Sequence, residues 1–224
     1  MVIGYSQTIN RFILLDAYPL PNIDNLVSKV AQYSVFSTLD LQSAYHQIPI
    51  RPKDKPFTAF EASGGLYQFW RILFGVTNGV AAFQRVIDQI IKETAAEDTY
   101  AYIDNVTVCG QTQAEHDRNL HRFMEAAERY SLTFNDDKCT FSTASVNLLG
   151  YTIADGEIRP DPERLKPLLA LPVLTDMRSL RRILGMFAHY SKWIPRFSHE
   201  IHPLVDVHAF PLDAPAMKAF EDLK

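Results

Sequence analysis

Tyr102-Ile103-Asp104-Asn105 constrains the fold of this chain more than any other stretch. It lies within Thr99–Val108, where apolar and β-branched residues flank a two-residue Asp104-Asn105 turn signal. That pattern predicts a β-hairpin. A tight hairpin holds a carboxylate rigidly at its tip, where it can grip a metal ion. Asp40 stands near the end of a second strand-like run, Val35–Leu41. Two aspartates on adjacent strand ends of one sheet are the minimum apparatus for two-metal phosphoryl transfer. Taken singly, Asp40 reads as readily as a strand-end cap.

With 224 residues, 47% of them hydrophobic and 12% aromatic, the chain can bury a core and form one large domain or two small ones. It has no apolar run long enough to span a bilayer and no basic-then-apolar N-terminus, so no membrane partner and no secretory signal are expected. Cys109 and Cys139 fit no metal spacing and are too few for a disulfide framework, which predicts a reduced intracellular setting. The formal charge of −4 runs against a nucleic-acid partner. Its distribution does not: residues 1–150 carry 12 basic and 16 acidic side chains, and residues 151–200 carry 8 and 6. Arg178, Arg181, Arg182, Lys192 and Arg196 fall on or just after one predicted helix. Such a cluster is a solvated face or, given a partner, a phosphate-binding stripe.

Helical and strand patterns alternate without repeats. Asn22 caps a predicted helix to about Tyr33, with Ile23, Leu26, Val27 and Val30 on one face. Residues 57–71 predict a hairpin around Ser63-Gly64-Gly65, and Val80 to Ile91 a helix. Thr112 and Glu115 have capping-box spacing ahead of a helix with Leu120, Phe123, Met124 and Ala127 inward. A further hairpin is expected over 139–153, and Asp161-Pro162 opens a helical region. Its second helix, Met177 to Trp193, aligns Met177, Leu180, Leu184, Phe187 and Ser191.

The segments Leu20–Asp24, Phe36–Ile48, Phe74-Gly75 with Asn78 and Phe83-Gln84, Tyr102–Asn105, Leu149-Gly150-Tyr151, and Leu184–Met186 with Tyr190 and Ile194-Pro195 occur in one order over about residues 5–205. In that order the chain resembles the reverse transcriptase domain of a Pol polyprotein, most closely of gypsy-type LTR retrotransposons. The resemblance implies an α+β right-hand polymerase fold: a ferredoxin-like palm, truncated fingers and a helical thumb. Fingers and palm would occupy residues 1–155, the thumb 156–205, and a lead-in to an RNase H domain 206–224. The activity implied is RNA-directed DNA polymerisation from a primer on an RNA or DNA template with dNTPs. The parent polyprotein would add RNase H and integrase, and the setting would be cytoplasm, nucleus or an element-derived particle.

Residue roles follow from the same resemblance. Asp40 and Asp104 match the two catalytic aspartates, and the Leu41 carbonyl joins them around two Mg²⁺ ions, with Mn²⁺ as a substitute. Tyr45 matches the aromatic residue that excludes a ribose 2′-hydroxyl. Phe74 and Gly75 match the segment against the incoming nucleotide, and Lys138 falls near the triphosphate, though it also reads as a solvated lysine. Gln84 matches a template-side position and equally a solvent-facing residue. Leu149-Gly150 matches the primer grip, and the arginine-bearing helix the duplex-binding thumb.

Two departures qualify the match. Asn105 stands where a third aspartate is common in the Tyr-x-Asp-Asp motif. Its amide oxygen still ligates metal, it removes one negative charge, and it suits a left-handed turn position. The family's basic fingers residues fall before Met1, and Gly4 stands where Asp is usual, so triphosphate binding would be weakened; Val80 replaces a proline with little consequence. The alternative is therefore a degenerate element remnant that binds nucleic acid without polymerising.

Overall fold

The computed structural model describes residues 3–172 and 174–224. Asn22 starts the first helix as expected: its side chain accepts the Asn25 N–H (3.0 Å), and α1 (Ile23–Val30) buries Leu26, Val27 and Val30. Next come β1 (Val35–Asp40), a hairpin of β2 (Phe60–Ala62) and β3 (Gly65–Tyr67), α2 (Gly79–Glu93), β4 (Thr99–Tyr102), β5 (Asn105–Gly110) and α3 (Gln113–Arg129). Strands β6 (Thr140–Thr143), β7 (Ser145–Leu148), β8 (Tyr151–Ala154) and β9 (Glu157–Pro160) lead to helices α4 (Pro162–Leu169), α5 (Met177–His189), α6 (Phe197–Val205) and α7 (Ala214–Asp222). The chain divides into two compact units. The first runs to Leu149 and includes Ile153–Ile158; the second comprises Gly150–Thr152 and Arg159–Lys224.

An antiparallel sheet in the order β4-β5-β1-β6 organises the first unit. Its register pairs Ser37 with Val108, Leu39 with Val106, and Asp40 with Asn105. Alternation therefore puts Ser37, Leu39, Val106 and Val108 on one face and Thr38, Asp40 and Asn105 on the other. The first face meets the helices: Leu39, Val106 and Val108 share a core with Phe83 and Ile87 of α2 and Phe123 of α3. Burial of such side chains, each worth about 1.5–3 kcal/mol, fixes which strand face meets α2 and α3. Asp40 is on the opposite face, where Phe36, Thr107 and Cys109 are also buried.

Helix α3 begins with the expected capping box, Thr112 and Glu115 bonding reciprocally. Its inward face includes His116, Asn119, Phe123, Ala126 and Ala127, whereas Met124, expected inward, is exposed. Polar partners explain the rotation: His116 Nε2 meets Ser37 Oγ at 2.8 Å, and Asn119 donates to the Cys109 carbonyl at 3.0 Å. At Gly110 the strand end touches the helix so closely that a Cβ would lie 2.3 Å from the His116 nitrogen.

Three other expectations shift. The 57–71 hairpin is shorter, because Pro52–Thr58 forms a 3₁₀ turn and only Phe60–Ala62 pairs with Gly65–Tyr67 around Ser63-Gly64. The expected 139–153 hairpin is split: β6 pairs with β1, while β7, β8 and β9 form a separate three-stranded sheet. The helix expected to reach Trp193 ends at His189, and Ser191–Trp193 is a 3₁₀ turn. In the second unit, α4 to α7 share a core built on Leu180, Phe187, Leu204 and Phe220. Residues of 206–224, expected as a lead-in, thus contribute α7 to that core.

Candidate active site

Beyond Asp40 the first strand stays anchored on both sides. Leu41 donates to the Asp104 carbonyl (2.8 Å), while Asn135 donates to the Asp40 carbonyl (2.8 Å) and Gln42 to Thr133 (3.0 Å). The Gln47 side chain braces this crossing through the carbonyls of Gln42 and Thr133 and the Thr133 N–H. Asp40 and Asp104 are thereby held at the ends of neighbouring strands. The Leu41 carbonyl accepts no hydrogen bond among those of the described residues.

The hairpin that carries Asp104 forms in a different register from the one its sequence suggests. Tyr102 pairs with Asn105, so Ile103 and Asp104 are the two turn residues and Asn105 opens β5. The left-handed position is Ile103 (φ 54°), and Asn105 is not among the residues with positive φ. The suitability of Asn for a left-handed turn therefore does not account for Asn105. A positive φ at the first turn position alone is the type II′ pattern, where glycine is usual. A β-branched residue there is strained by about 1–2 kcal/mol.

Asp40, Leu41, Tyr45, Phe74, Asp104 and Lys138 line one pocket of ≈ 390 Å³ together with Gln42, Ser43, Ala44 and Asn135. Lys138 Nζ lies 3.5 Å from Asp40 Oδ1, a cation beside the largely enclosed carboxylate. Asn105 is exposed beside the pair and donates its amide to Asp104 Oδ1 at 3.2 Å. The Tyr45 ring packs edge-on against Phe74 (5.1 Å between centroids) and Phe83 (5.7 Å). Its hydroxyl pKa is raised, first by burial and then by the negative charge of Asp104, so Tyr45 is neutral and near that carboxylate. Among the described residues no group of three or more His, Cys, Asp or Glu side chains could hold a metal ion. Two carboxylates and a main-chain carbonyl are nonetheless hard oxygen donors that suit Mg²⁺, which keeps water and substrate oxygens as its other ligands.

Gly75 follows Phe74 with φ 88°, a conformation costly for other residues, and Asn10 pins this loop by donating to the Gly75 carbonyl (2.7 Å) and accepting the Thr77 N–H (3.0 Å). Gln84 departs from expectation. It is fully buried, and its three hydrogen bonds go to Ile103, Ala101 and Asp88, so it does not face solvent. Helix α2 carries it on its buried face with Phe83 and Ile87, where it accepts the N–H of the strained turn. Sequence reading missed this role; only the pairing of Tyr102 with Asn105 reveals it.

Leu149 (φ 52°) and Gly150 (φ 92°) form the two-residue turn between β7 and β8. In the second unit, Arg178, Arg181 and Arg182 are exposed on α5. Lys192 and Arg196 lie beyond its end, so the five residues do not share one helix face. Lys192 sits over the Tyr151 and Trp193 rings, 4.7 and 4.4 Å from their centroids, and Arg196 precedes α6 without a capping side-chain hydrogen bond, 3.8 Å from Glu200. No helix among the described residues is long and apolar enough to cross a membrane.

Residues 4–153 match the model of the reverse transcriptase (RNA-dependent DNA polymerase) family. The whole chain is 31% identical over 239 residues to the retrovirus-related Pol polyprotein from transposon opus of Drosophila melanogaster, of which it covers 24%. Over 92% of its length it is 29% identical to that from transposon gypsy of the same organism, covering 20% of it. The Tf2-7 transposon polyprotein of Schizosaccharomyces pombe is 29% identical over 91% of the chain, which spans 15% of that protein. The chain thus spans about a quarter or less of the length of these relatives. Its fold is similar to that of a foamy viral protease-reverse transcriptase solved with double-stranded DNA (TM-score 0.85, 20% identity, 100% of this chain and 40% of that one). A foamy viral protease-reverse transcriptase solved with an RNA/DNA hybrid gives TM-score 0.80 at 19% identity, with 99% of this chain and 31% of that one covered. A polymerase-type α+β fold, a paired-aspartate pocket and a family match over residues 4–153 agree: the chain belongs to the reverse transcriptase family, as a domain similar to those of gypsy-type Pol polyproteins.

Proposed function

We propose that this chain is an RNA-directed DNA polymerase module that adds dNTPs to a primer 3′-hydroxyl on an RNA or DNA template. One observation carries the reading: Asp40 and Asp104, from neighbouring strand ends, line one pocket with Tyr45 and Lys138. Asp40, Asp104 and the Leu41 carbonyl would hold two divalent cations, Mg²⁺ or in its place Mn²⁺. Such ions, when bound, lower the pKa of the attacking hydroxyl and neutralise the leaving pyrophosphate.

The chain's own residues supply the rest. Lys138 compensates Asp40 in the free protein and is placed to transfer its charge to a triphosphate. Tyr45, neutral and held by Phe74 and Phe83, presents a flat face to the sugar and sterically excludes a 2′-hydroxyl. Phe74 and Gly75 border the base, the Leu149-Gly150 turn lets the primer backbone approach, and Arg178, Arg181 and Arg182 bind duplex phosphates as part of a thumb over 156–205. RNase H and integrase would be neighbours in a Pol polyprotein acting in the cytoplasm, the nucleus or an element-derived particle.

Asn105 favours a second reading, a remnant that binds nucleic acid without polymerising, because it leaves two carboxylates to balance two divalent ions. Primer extension on poly(rA)/oligo(dT) separates the two. The polymerase reading expects extension in Mg²⁺ or Mn²⁺ that a chelator stops and Asp104→Asn abolishes. Duplex binding without extension in either metal would establish the remnant.

A further inference from the structure

The strained turn that carries Asp104 is fastened to the interior by a side chain outside the pocket. Gln84 Oε1 accepts the Ile103 N–H at 2.7 Å, and Nε2 donates to the Ala101 carbonyl (3.2 Å) and to Asp88 Oδ1 (2.9 Å). The other Asp88 oxygen accepts the Tyr18 hydroxyl at 2.7 Å. That bond raises the Tyr18 pKa and keeps the hydroxyl a donor. Arg85 lies over the Tyr18 ring, 4.8 Å from its centroid, and pairs with Asp16 at 2.6 Å. A continuous line of hydrogen bonds therefore runs from Tyr18 through Asp88 and Gln84 to the main chain of Ile103.

The chemistry of each link fixes the residue that can serve. Ala101 and Asp88 offer only acceptors to Gln84, so its amide nitrogen must face them and its oxygen must face Ile103. Glutamate could accept from Ile103 but not donate; lysine could donate but not accept. An apolar residue would leave the Ile103 N–H unpaired in a conformation that β-branched side chains avoid, and the turn would relax. Asp104, the next residue, would move with it.

We infer that Gln84 is a positioning residue: held by Asp88 and Tyr18, it fixes the Ile103 turn and so aims the Asp104 carboxylate at the Asp40 side of the pocket. Divalent-cation affinity then depends on residues that touch neither ion nor nucleotide. This rests on the proposed metal-dependent polymerase reading, and the test keeps the two apart by reading metal binding and turn geometry without catalysis.

Mn²⁺ titration of the whole chain, with amide exchange at Ile103, reads both links for wild type, Gln84→Leu, Gln84→Glu and the swap Gln84→Glu/Asp88→Asn. Gln84→Leu and Gln84→Glu should weaken Mn²⁺ binding roughly tenfold, as loss of outer partners of a metal ligand does, and expose the Ile103 amide to exchange. The swap should recover both in part, since the Ala101 carbonyl still lacks its donor. The amide introduced at position 88 donates to the carboxylate introduced at position 84, which accepts from Ile103, and the amide oxygen still accepts from Tyr18. Should Gln84→Leu fail to fold, Gln84→Glu against the swap decides. Mn²⁺ affinity within about twofold of wild type in the folded single variants, with Ile103 still protected, would overturn the inference. So would Mn²⁺ binding that Asp104→Asn leaves unchanged. Wild type that binds Mn²⁺ through Asp104 yet extends no primer would instead overturn the polymerase reading, and the titration would still judge Gln84.

Discussion

Asn105 donates its amide to Asp104 across 3.2 Å in the free protein, which eases the charge of a half-enclosed carboxylate. Replacing it with Asp reverses that effect. Two adjacent carboxylates repel when no cation is present, and both attract one when it is. Asn105→Asp should therefore melt lower than wild type in chelator, melt higher in Mg²⁺, and bind Mn²⁺ several-fold tighter; equal melting shifts in the two buffers would rule out this electrostatic account. Tyr45 sets a different property. Tyr45→Val removes the ring that meets Phe74 and Phe83, and discrimination against ribonucleotides in single-turnover extension should fall roughly tenfold or more, a change of about 1.4 kcal/mol. Unchanged discrimination would remove Tyr45 from the sugar site. Asp40, Asp104, Tyr45 and Phe74 were legible as a set because each stands in a motif of the resemblance: Asp40 at a strand end, Asp104 in a hairpin turn, Tyr45 in the 3₁₀ turn Ala44–Gln47 and Phe74 in the loop before α2. Gln84 and Ile103 were not, since their roles depend on a register displaced by one residue, and a single-residue shift in a hairpin is invisible to alternation alone.

Elements were legible where a local rule governs them. The caps at Asn22, Thr112 and Asp161 formed as their side chains dictate, since a capping hydrogen bond needs only two or three residues. Inward faces were less legible: His116 and Asn119 enter the core of α3 because Ser37 and the Cys109 carbonyl, distant in sequence, satisfy them. The closeness of β5 and α3 gives a stability test. Gly110→Ala places a methyl 2.3 Å from the His116 nitrogen and should destabilise the chain by about 1–3 kcal/mol in urea titration, more than Gly185→Ala, where the added atom meets nothing within 4 Å. Equal effects would mean that the strand and helix are not in contact. Helix α5 carries a pH signature. Asp176 accepts the N–H groups of Arg178 (2.8 Å) and Ser179 (2.9 Å), which lowers its carboxyl pKa. A lowered folded-state pKa means stability present above the ordinary value of 3.8 and lost as pH falls through the folded value. The stability difference between wild type and Asp176→Ala should be full at neutral pH and shrink as pH falls below 3.8; a difference that grows on acidification would contradict the cap.

At the scale of the molecule, the sheet turns one face to its helices and leaves Asp40 on the other, while a separate helical unit exposes Arg178, Arg181 and Arg182. An acidic chain can still bind nucleic acid when its cations are grouped, and each neutralised phosphate releases counterion. Duplex affinity should fall steeply with salt, with a slope reduced by about 1 in each of Arg181→Ala and Arg182→Ala; salt-independent binding would leave these arginines as a solvated face. The most direct measurement is a crystal structure with a dideoxy-terminated primer on template, the matching dNTP and Mn²⁺, read by anomalous scattering. The account predicts Mn²⁺ shared by Asp40 and Asp104, with the Leu41 carbonyl as a further ligand and the two carboxylates about 4–6 Å apart. Manganese bound elsewhere, or carboxylates more than about 10 Å apart with substrate in place, would contradict it.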